Sequence, residues 1–415
     1  MRIFFIVLLL AMLTACEKAP VWPGSLESLL ASQPERFATV MQDPAKYRVQ
    51  IMYTQIDREA DNKPVFKTFI YRVNPGEYFY PASTVKLPVA ALALEKLNRL
   101  NLPGLDTDTT MLTGAAADFQ TEAKTDETSP TGLPSVGQYV RKILLVSDND
   151  AFNRLYEFLG QYEINERLHG MRYFDTRIIH RLESSLSEDE NRWTNPIQFI
   201  DGDETVYVQD AVYSNVSFRS AQPELLGLAE IVGNERIERP KDFAGKNAYS
   251  LLDQHEFIRN LVFPQSADPR KRLNLDEEDY RFLYRYMSMY PGESGIAAYA
   301  NAEEYPQGYV KFLMYGGDAK VIPPHIRIFN KVGDAYGFLT DAAYIVDFKN
   351  NIEFILSATI YTNDNQTFND DQYEYAEIGL PFLRDLGQAI YAVELARQRA
   401  HVPDLSRFRF PDRNY

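Results

Sequence analysis

Pro81-Ala82-Ser83-Thr84-Val85-Lys86-Leu87-Pro88 runs directly into the uncharged stretch Val89 to Leu94, and no other segment restricts the fold as much. The stretch reads as a buried helix, and the aromatic run Tyr78-Phe79-Tyr80 leads into it. Residues three apart on a helix share a face, which sets Lys86 beside the hydroxyl of Ser83. At a first helical turn, unpaired N–H groups and the helix dipole favour negative charge. An alcohol becomes a nucleophile when a base takes its proton and donors stabilise the oxyanion that follows. This one segment offers most of those parts. Taken alone, it also fits a serine capping a helix with a solvated lysine in the first turn.

Two later motifs add weight. Ser147-Asp148-Asn149 ends the apolar run Leu144 to Val146 and precedes a helix from Ala151 to Leu159, stopped by Gly160. Ser, Asp and Asn are also ordinary caps. Ile326 to Gly333 alternates like a strand and ends Lys331-Val332-Gly333. The three motifs fall in order on a helix, a loop and a strand.

In that order they resemble the Ser-x-x-Lys, Ser-Asp-Asn and Lys-Thr-Gly motifs of the class A β-lactamases, or more broadly of the penicillin-recognising serine hydrolases. Arg181-Leu182-Glu183-Ser184-Ser185-Leu186-Ser187 is similar to the omega-loop pattern of class A enzymes. Tyr336-Gly337 and Thr340 to Tyr344 resemble the strand turn after the third motif. The likeness runs over residues 46 to 200 and 305 to 400. It implies that Ser83 attacks an amide or ester carbonyl and that Lys86 helps remove its proton. It implies that Ser147 relays a proton to the leaving nitrogen, and that Asn149 binds the substrate amide and fixes Lys86. Lys331 would attract an anionic substrate. The backbone N–H groups of Ser83 and of Asp334, just past Gly333, would form the oxyanion hole. Glu183 would activate the water that clears the acyl-enzyme, on an omega loop held by Arg181. The choice between Lys86 and Glu183 as the base for acylation stays open at this level. Two departures bear on the substrate. Val332 stands where the family has a hydroxyl residue, and Ser187 where it has an amide that positions the water.

The amino terminus indicates where such chemistry would take place. Met1-Arg2 leads into an apolar core from Ile3 to Met12, too short to span a bilayer. Leu13-Thr14-Ala15-Cys16 matches a lipoprotein cleavage site, so residues 1–15 are expected to be a signal peptide and Cys16 to carry lipid. Cys16 is the only cysteine, so neither a disulfide nor cysteine catalysis is expected. Residues 16–45 read as the lipidated Cys, a Pro/Gly tether and a first helix over Leu26 to Met41 that Pro34 kinks or splits. Glu17 resembles the sorting residue of outer-membrane lipoproteins, so a periplasm-facing protein of the outer membrane is expected. The acidic balance, a formal net charge of -15, gives no basic patch for nucleic acid. The five histidines show no metal-ligand spacing, no phosphate loop follows a strand, and no metal or cofactor is expected. His180, next to Arg181, reads as structural.

The expected fold is α+β, β-lactamase/transpeptidase-like: an antiparallel five-stranded sheet flanked by helices, plus an all-helical subdomain. Strands are predicted at Tyr47 to Ile56, Val65 to Val73, Ile326 to Lys331, Tyr336 to Phe348 and Ile352 to Tyr361, with a closing helix from Leu380 to Gln398. The catalytic domain is expected to span 46–415. An elaborated helical insertion is expected at about 196–304, with helices at Pro223 to Val232 and Glu277 to Ser288. Three functions fit. The first is β-lactam hydrolysis. The second is a peptidoglycan D,D-peptidase or endopeptidase, or another amide or ester hydrolase of the same fold. The third is a non-catalytic envelope scaffold. A monomer acting on a small β-lactam or a peptidoglycan-like substrate is expected.

Overall fold

The computed structural model describes residues 22–413 and 415. The expected signal peptide, Cys16 and the first part of the tether lie outside these residues. The helical pattern from Leu26 divides into α1 (Leu26–Ala31) and α2 (Pro34–Met41). Pro34 cannot donate to the preceding turn but is tolerated at a helix start, where the N–H would be unpaired anyway. β1 (Gln50–Arg58) and β2 (Pro64–Tyr71) pair antiparallel, with Ile51 opposite Tyr71.

The chain then builds a helical lobe from α3 (Lys86–Leu100), β3 (Thr110–Thr113), α4 (Val136–Val146), α5 (Asn149–Leu159) and α6 (Gln161–Gly170). β4 (Ile197–Asp201) and β5 (Glu204–Gln209) join β3 in a small antiparallel sheet on this lobe. Short strands follow. β6 (Leu225–Leu226) pairs with β9 (Lys241–Asp242), and β7 (Ala229–Val232) pairs with β8 (Glu235–Ile237). Two longer helices come next, α7 (Leu251–Val262) and α8 (Glu277–Met287).

Three long strands complete the main sheet: β10 (Ile326–Ala335), β11 (Phe338–Asp347) and β12 (Ile352–Tyr361). β13 (Thr367–Phe368) lies parallel to β7, and α9 (Leu380–Ala396) closes the fold. The sheet order is β10-β11-β12-β1-β2, all antiparallel, so first and last strands meet with Tyr53 opposite Leu356. One face packs on α1, α2 and α9 around Phe37, Leu383 and Ile390. The other packs on the helical lobe around Phe152, Leu155, Phe329 and Tyr344. Every residue of β11 is buried, as expected for a strand covered on both faces. The architecture is α+β, as the sequence predicts, and the described part of the helical lobe also carries a small sheet.

One expectation for 196–304 needs correction. Pro223 to Val232 is extended, not helical: Gly227 sits at φ +71, where an added Cβ would meet Gln366 O at 2.7 Å, and Leu225, Leu226 and Ala229 to Val232 pair with strands instead. The helices of the segment pack into the main body. α7 packs on β1, β11 and β12, and its buried His255 bridges Thr54 Oγ1 at 2.7 Å and Ser357 Oγ at 2.9 Å. α7 and α8 therefore belong to the main core.

Candidate active site

The aromatic run ahead of Ser83 is buried among Phe243, Phe338 and Phe368. It delivers the chain to Ala82, whose φ of +46 is a conformation that non-glycine residues seldom adopt. Ala82–Val85 then forms a 3-10 turn, and Lys86 begins α3 with its N–H on Ser83 O. Ser83 thus sits one turn ahead of the α-helix that the sequence assigned to it. Its own N–H has no backbone acceptor among the described residues.

Lys86 is completely buried at the start of α3. Its Nζ donates to Asn149 Oδ1 at 2.5 Å, to Ser147 Oγ at 3.2 Å, and to the Ser147 carbonyl. The acceptors come from a sharp corner between two helices. Ser147 ends α4 in the left-handed region at φ +59, and Asp148 caps α5 by accepting from Ala151 N at 2.7 Å. That corner turns both the hydroxyl and the carbonyl of Ser147 toward Lys86. Burial pushes the Lys86 ammonium well below its ordinary pKa, and the nearby Lys331 adds to the effect.

Lys331 arrives from the sheet. Its Nζ donates to Ser147 Oγ at 2.7 Å and to Val332 O at 2.9 Å, and burial brings its pKa down to about 7 against the pull of Asp334 and Asp341. Two lysines from opposite halves of the molecule therefore share one hydroxyl. Gly333 explains how the strand comes so close. A Cβ there would lie 2.5 Å from Pro81 O and 2.9 Å from Ser83 N, so any side chain would push β10 off the nucleophile turn. Tyr336-Gly337 closes a two-residue hairpin with φ +54 and +78, the backbone such a hairpin requires. Ala335 and Phe338 then form a hydrogen-bonded pair, and the alternation down an antiparallel ladder leaves Asp334 N–H unpaired with β11. β10 is the outer strand, so that N–H faces the open edge alongside Ser83. Asp334 reaches solvent at the rim of the site, but the protein around its carboxyl strips enough water to raise its pKa against the pull of Lys331 and Lys86.

Val332 points away from Lys331, into the core with Leu339, and is 2% exposed. On that side a cavity of about 420 Å³ opens beside Ser147, walled by Tyr309, Phe312, Val332, Tyr375 and Arg384. Behind Lys331 runs a buried chain of polar groups that the sequence reading missed. Lys311 Nζ donates to Asn330 Oδ1 at 2.6 Å, Asn330 Nδ2 to Asp341 Oδ1 at 2.8 Å, and Leu313 N to Asp341 Oδ2 at 3.0 Å. Burial lowers the Lys311 pKa and raises that of Asp341. Asn330, alternating with Ile326, Ile328 and Val332 on the apolar face of β10, was the available signal.

Glu183 lies on an exposed loop at φ +47, near enough to Lys86 to favour its charged form. Among the described residues its carboxylate makes no hydrogen bond, so its neighbours hold it in place. Asn153 Oδ1 accepts from Leu182 N at 2.8 Å while Asn153 Nδ2 donates to Leu182 O at 2.9 Å. Arg181 is buried, with Nε on Glu157 Oε1 at 2.9 Å and an Nη on Trp193 O at 2.9 Å. Asn191 closes the loop by accepting from Arg181 N and donating to Leu186 O and Ser187 O. Asn153 and Asn191 were not singled out from the sequence, though Asn153 lies one turn from Asn149 on the same helix face. Ser187 Oγ donates to Glu190 Oε2 at 2.7 Å, a local turn contact. His180 stacks on Tyr80 at 6.1 Å, shares a hydrogen bond with Arg181 O through Nδ1, and is brought down to about 4 by burial, so it is neutral and structural.

Residues 35–220 match the model of the Beta-lactamase enzyme family. The matched stretch holds Ser83, Lys86, Ser147, Asn149 and Glu183, whereas Lys331 to Asp334 lie beyond it. A β-lactamase from Sphaerobacter thermophilus aligns at 14% identity and a TM-score of 0.48, covering 88% of this chain and 95% of that one. PBP-A aligns at 15% and 0.49, covering 90% and 98%. A β-lactamase from Streptomyces albus G aligns at 15% and 0.43, covering 88% and 97%. Among curated proteins, none matches the chain in sequence.

Proposed function

We propose that this chain, which carries the serine β-lactamase fold, is a serine hydrolase that forms an acyl-enzyme at Ser83, with a β-lactam amide as the preferred reading of its substrate. The observation that carries the proposal is the meeting of Lys86 and Lys331 on Ser147 Oγ, at 3.2 and 2.7 Å, against the Ser83 turn. Burial lowers the Lys86 pKa and so favours the neutral amine, the form that takes the Ser83 proton. The oxygen then attacks the carbonyl carbon, and the N–H groups of Ser83 and Asp334 receive the developing oxyanion. Ser147 passes a proton from the lysines to the departing nitrogen as the C–N bond breaks. Asn149 orients Lys86 and the substrate amide. Glu183 takes a proton from water, whose oxygen attacks the ester carbonyl. The bond from the acyl carbon to Ser83 Oγ breaks, and Ser83 takes back a proton from Lys86, which restores the amine. No step requires a metal or cofactor. Cys16 would tether the enzyme to the outer membrane by its lipid, facing the periplasm.

Val332 favours a second reading. Its side chain is buried and offers no donor to a substrate carboxylate, which weakens β-lactam capture. A peptidoglycan D,D-peptidase, or a hydrolase of a related amide or ester, keeps the same chemistry with a different acyl donor. Exposure to a fluorescent penicillin or a fluorophosphonate, followed by intact mass, tests both readings. Labelling of the wild type and its loss in Ser83→Ala are expected. Steady release of hydrolysed penicillin selects the lactamase, and a persistent adduct selects the peptidase. No covalent mass with either probe would overturn both and leave a non-catalytic scaffold.

A further inference from the structure

Residues 212–248 straddle the loop that carries Glu183. One leg lies along the loop's end. Thr194 N donates to Val212 O at 2.9 Å, Ser214 N to Arg192 O at 2.9 Å, and Arg192 Nε to Ser214 O at 2.7 Å. The other leg lies along its start. Arg177 and Ala248 exchange backbone bonds at 2.9 and 2.8 Å. The fully buried Asn247 accepts from Ile179 N at 2.7 Å and His180 N at 3.1 Å through one side-chain oxygen. Two contacts then reach the loop's middle. Tyr213 donates its hydroxyl to Asp189 Oδ1 at 2.5 Å while the Arg192 guanidinium lies over its ring at 4.6 Å. Arg219 forks between Glu188 on the loop and Asp242 on β9, the latter at 2.9 Å. The fit is close: a Cβ on Gly245 would fall 2.1 Å from Glu188 Oε1 and 2.5 Å from Arg219 Nη1.

We infer that 212–248 is a brace on the Glu183 loop, and that Arg219 and Tyr213 are positioning residues for hydrolysis of the acyl-enzyme. The inference rests on the reading of Glu183 as the base that activates water. Glu183 has no side-chain bond of its own, so the loop's two ends and its middle must fix where its carboxylate points. The brace supplies all three holds. Phe243 and Asn247 of the same segment pack on Tyr78 and Tyr80 ahead of Ser83. Neither Arg219 nor Tyr213 touches Ser83, Lys86, Ser147 or Lys331, so substituting these two should spare acylation. An error of an ångström in a catalytic group can cost up to about a hundredfold in rate. Each exposed contact on the brace contributes at most about fivefold.

The test uses the whole protein and whichever acyl donor, penicillin or depsipeptide ester, the wild type turns over. In Arg219→Gln/Tyr213→Phe, acyl-enzyme formation should stay within about twofold of wild type while its hydrolysis slows about tenfold. Molar salt should slow hydrolysis in the wild type more than in the double variant, because it screens the Arg219 fork. Amide exchange within 181–191 should quicken in the variant. Unchanged hydrolysis and unchanged exchange would overturn the brace, and so would an equal fall in both acylation and hydrolysis. If Glu183→Ala leaves hydrolysis untouched, the assignment of the base fails instead, and exchange within 181–191 alone then decides whether the brace exists.

Discussion

The two halves of the site are built in opposite ways. The buried Lys86 and Lys331 form a hydrogen-bonded knot with the half-buried Ser147 and Asn149 beside the Ser83 turn, on a helix, an interhelical corner and a strand. Glu183 is an exposed acid on a loop, positioned through the backbone around it. The difference teaches that, on the proposed mechanism, forming the acyl-enzyme is a property of the core, whereas clearing it is a property of an attached loop. Core changes should therefore disturb folding and chemistry together, and loop changes should separate the two chemical steps.

The largest expected effect tests that separation directly. Glu183→Ala should leave acylation near wild type and slow hydrolysis by about 10² to 10⁴, the usual worth of a positioned general base. Rapid-quench mass spectrometry would show the adduct accumulating, and undiminished turnover would dissolve the contrast between the halves. Next comes the loop's root. Arg181 and Glu157 pair at 2.9 Å with both side chains about 5% exposed or less. Removing Arg181 leaves Glu157 paired with Arg154 alone at 3.1 Å and leaves Trp193 O without its charged donor, so Arg181→Met should lose about 1.5–3 kcal/mol in denaturant unfolding. A loss below one kcal/mol would mean that the loop is held by its other contacts.

On the core side, Gly333→Ala has to displace either β10 or the Ser83 turn. It should cost about 1–3 kcal/mol and reduce acylation and hydrolysis alike, since both use the oxyanion site. Thermal melting together with single-turnover rates would check this, and a variant with wild-type acylation would refute the close approach. The smallest effect is one of pH. Lys331 titrates near pH 7, so its charge fades as pH rises through that value. For a carboxylate-bearing substrate, kcat/KM should fall about tenfold per pH unit above it, while a neutral ester lacks that limb. Stability moves the other way. The folded chain holds fewer protons than the unfolded chain between about pH 7 and the ordinary lysine value, so Lys331 adds stability as pH climbs across that window. Identical limbs for charged and neutral substrates would remove Lys331 from substrate binding.

Much of the knot was legible because its parts are local. Ser83 and Lys86 are three apart, Ser147 to Asn149 are consecutive, and Tyr336-Gly337 announces its hairpin by turn chemistry. The supports were not legible. Asn153 clasps Leu182 from 29 positions away, Asn247 holds His180 across 67, and Lys311 reaches Asn330 from an irregular segment. Neither helical nor strand periodicity registers such pairs, since each is a single polar side chain meeting distant backbone. The helix expected at Pro223 to Val232 failed for a related reason: strands β9 and β13, distant in sequence, outbid local propensity.

By itself the sequence determined the kinds of group available and the local turns that aim them: a serine with a lysine one turn on, a polar corner between helices, a glycine after the strand lysine. Only the tertiary structure decided that two lysines share one hydroxyl, that Glu183 lies on the exposed loop outside that knot, and that 212–248 lies along that loop. Local geometry follows from neighbouring residues through steric and hydrogen-bond rules. The charge state of a buried amine and the position of a loop carboxylate depend on what distant segments pack against them, and chain folding alone brings those segments together.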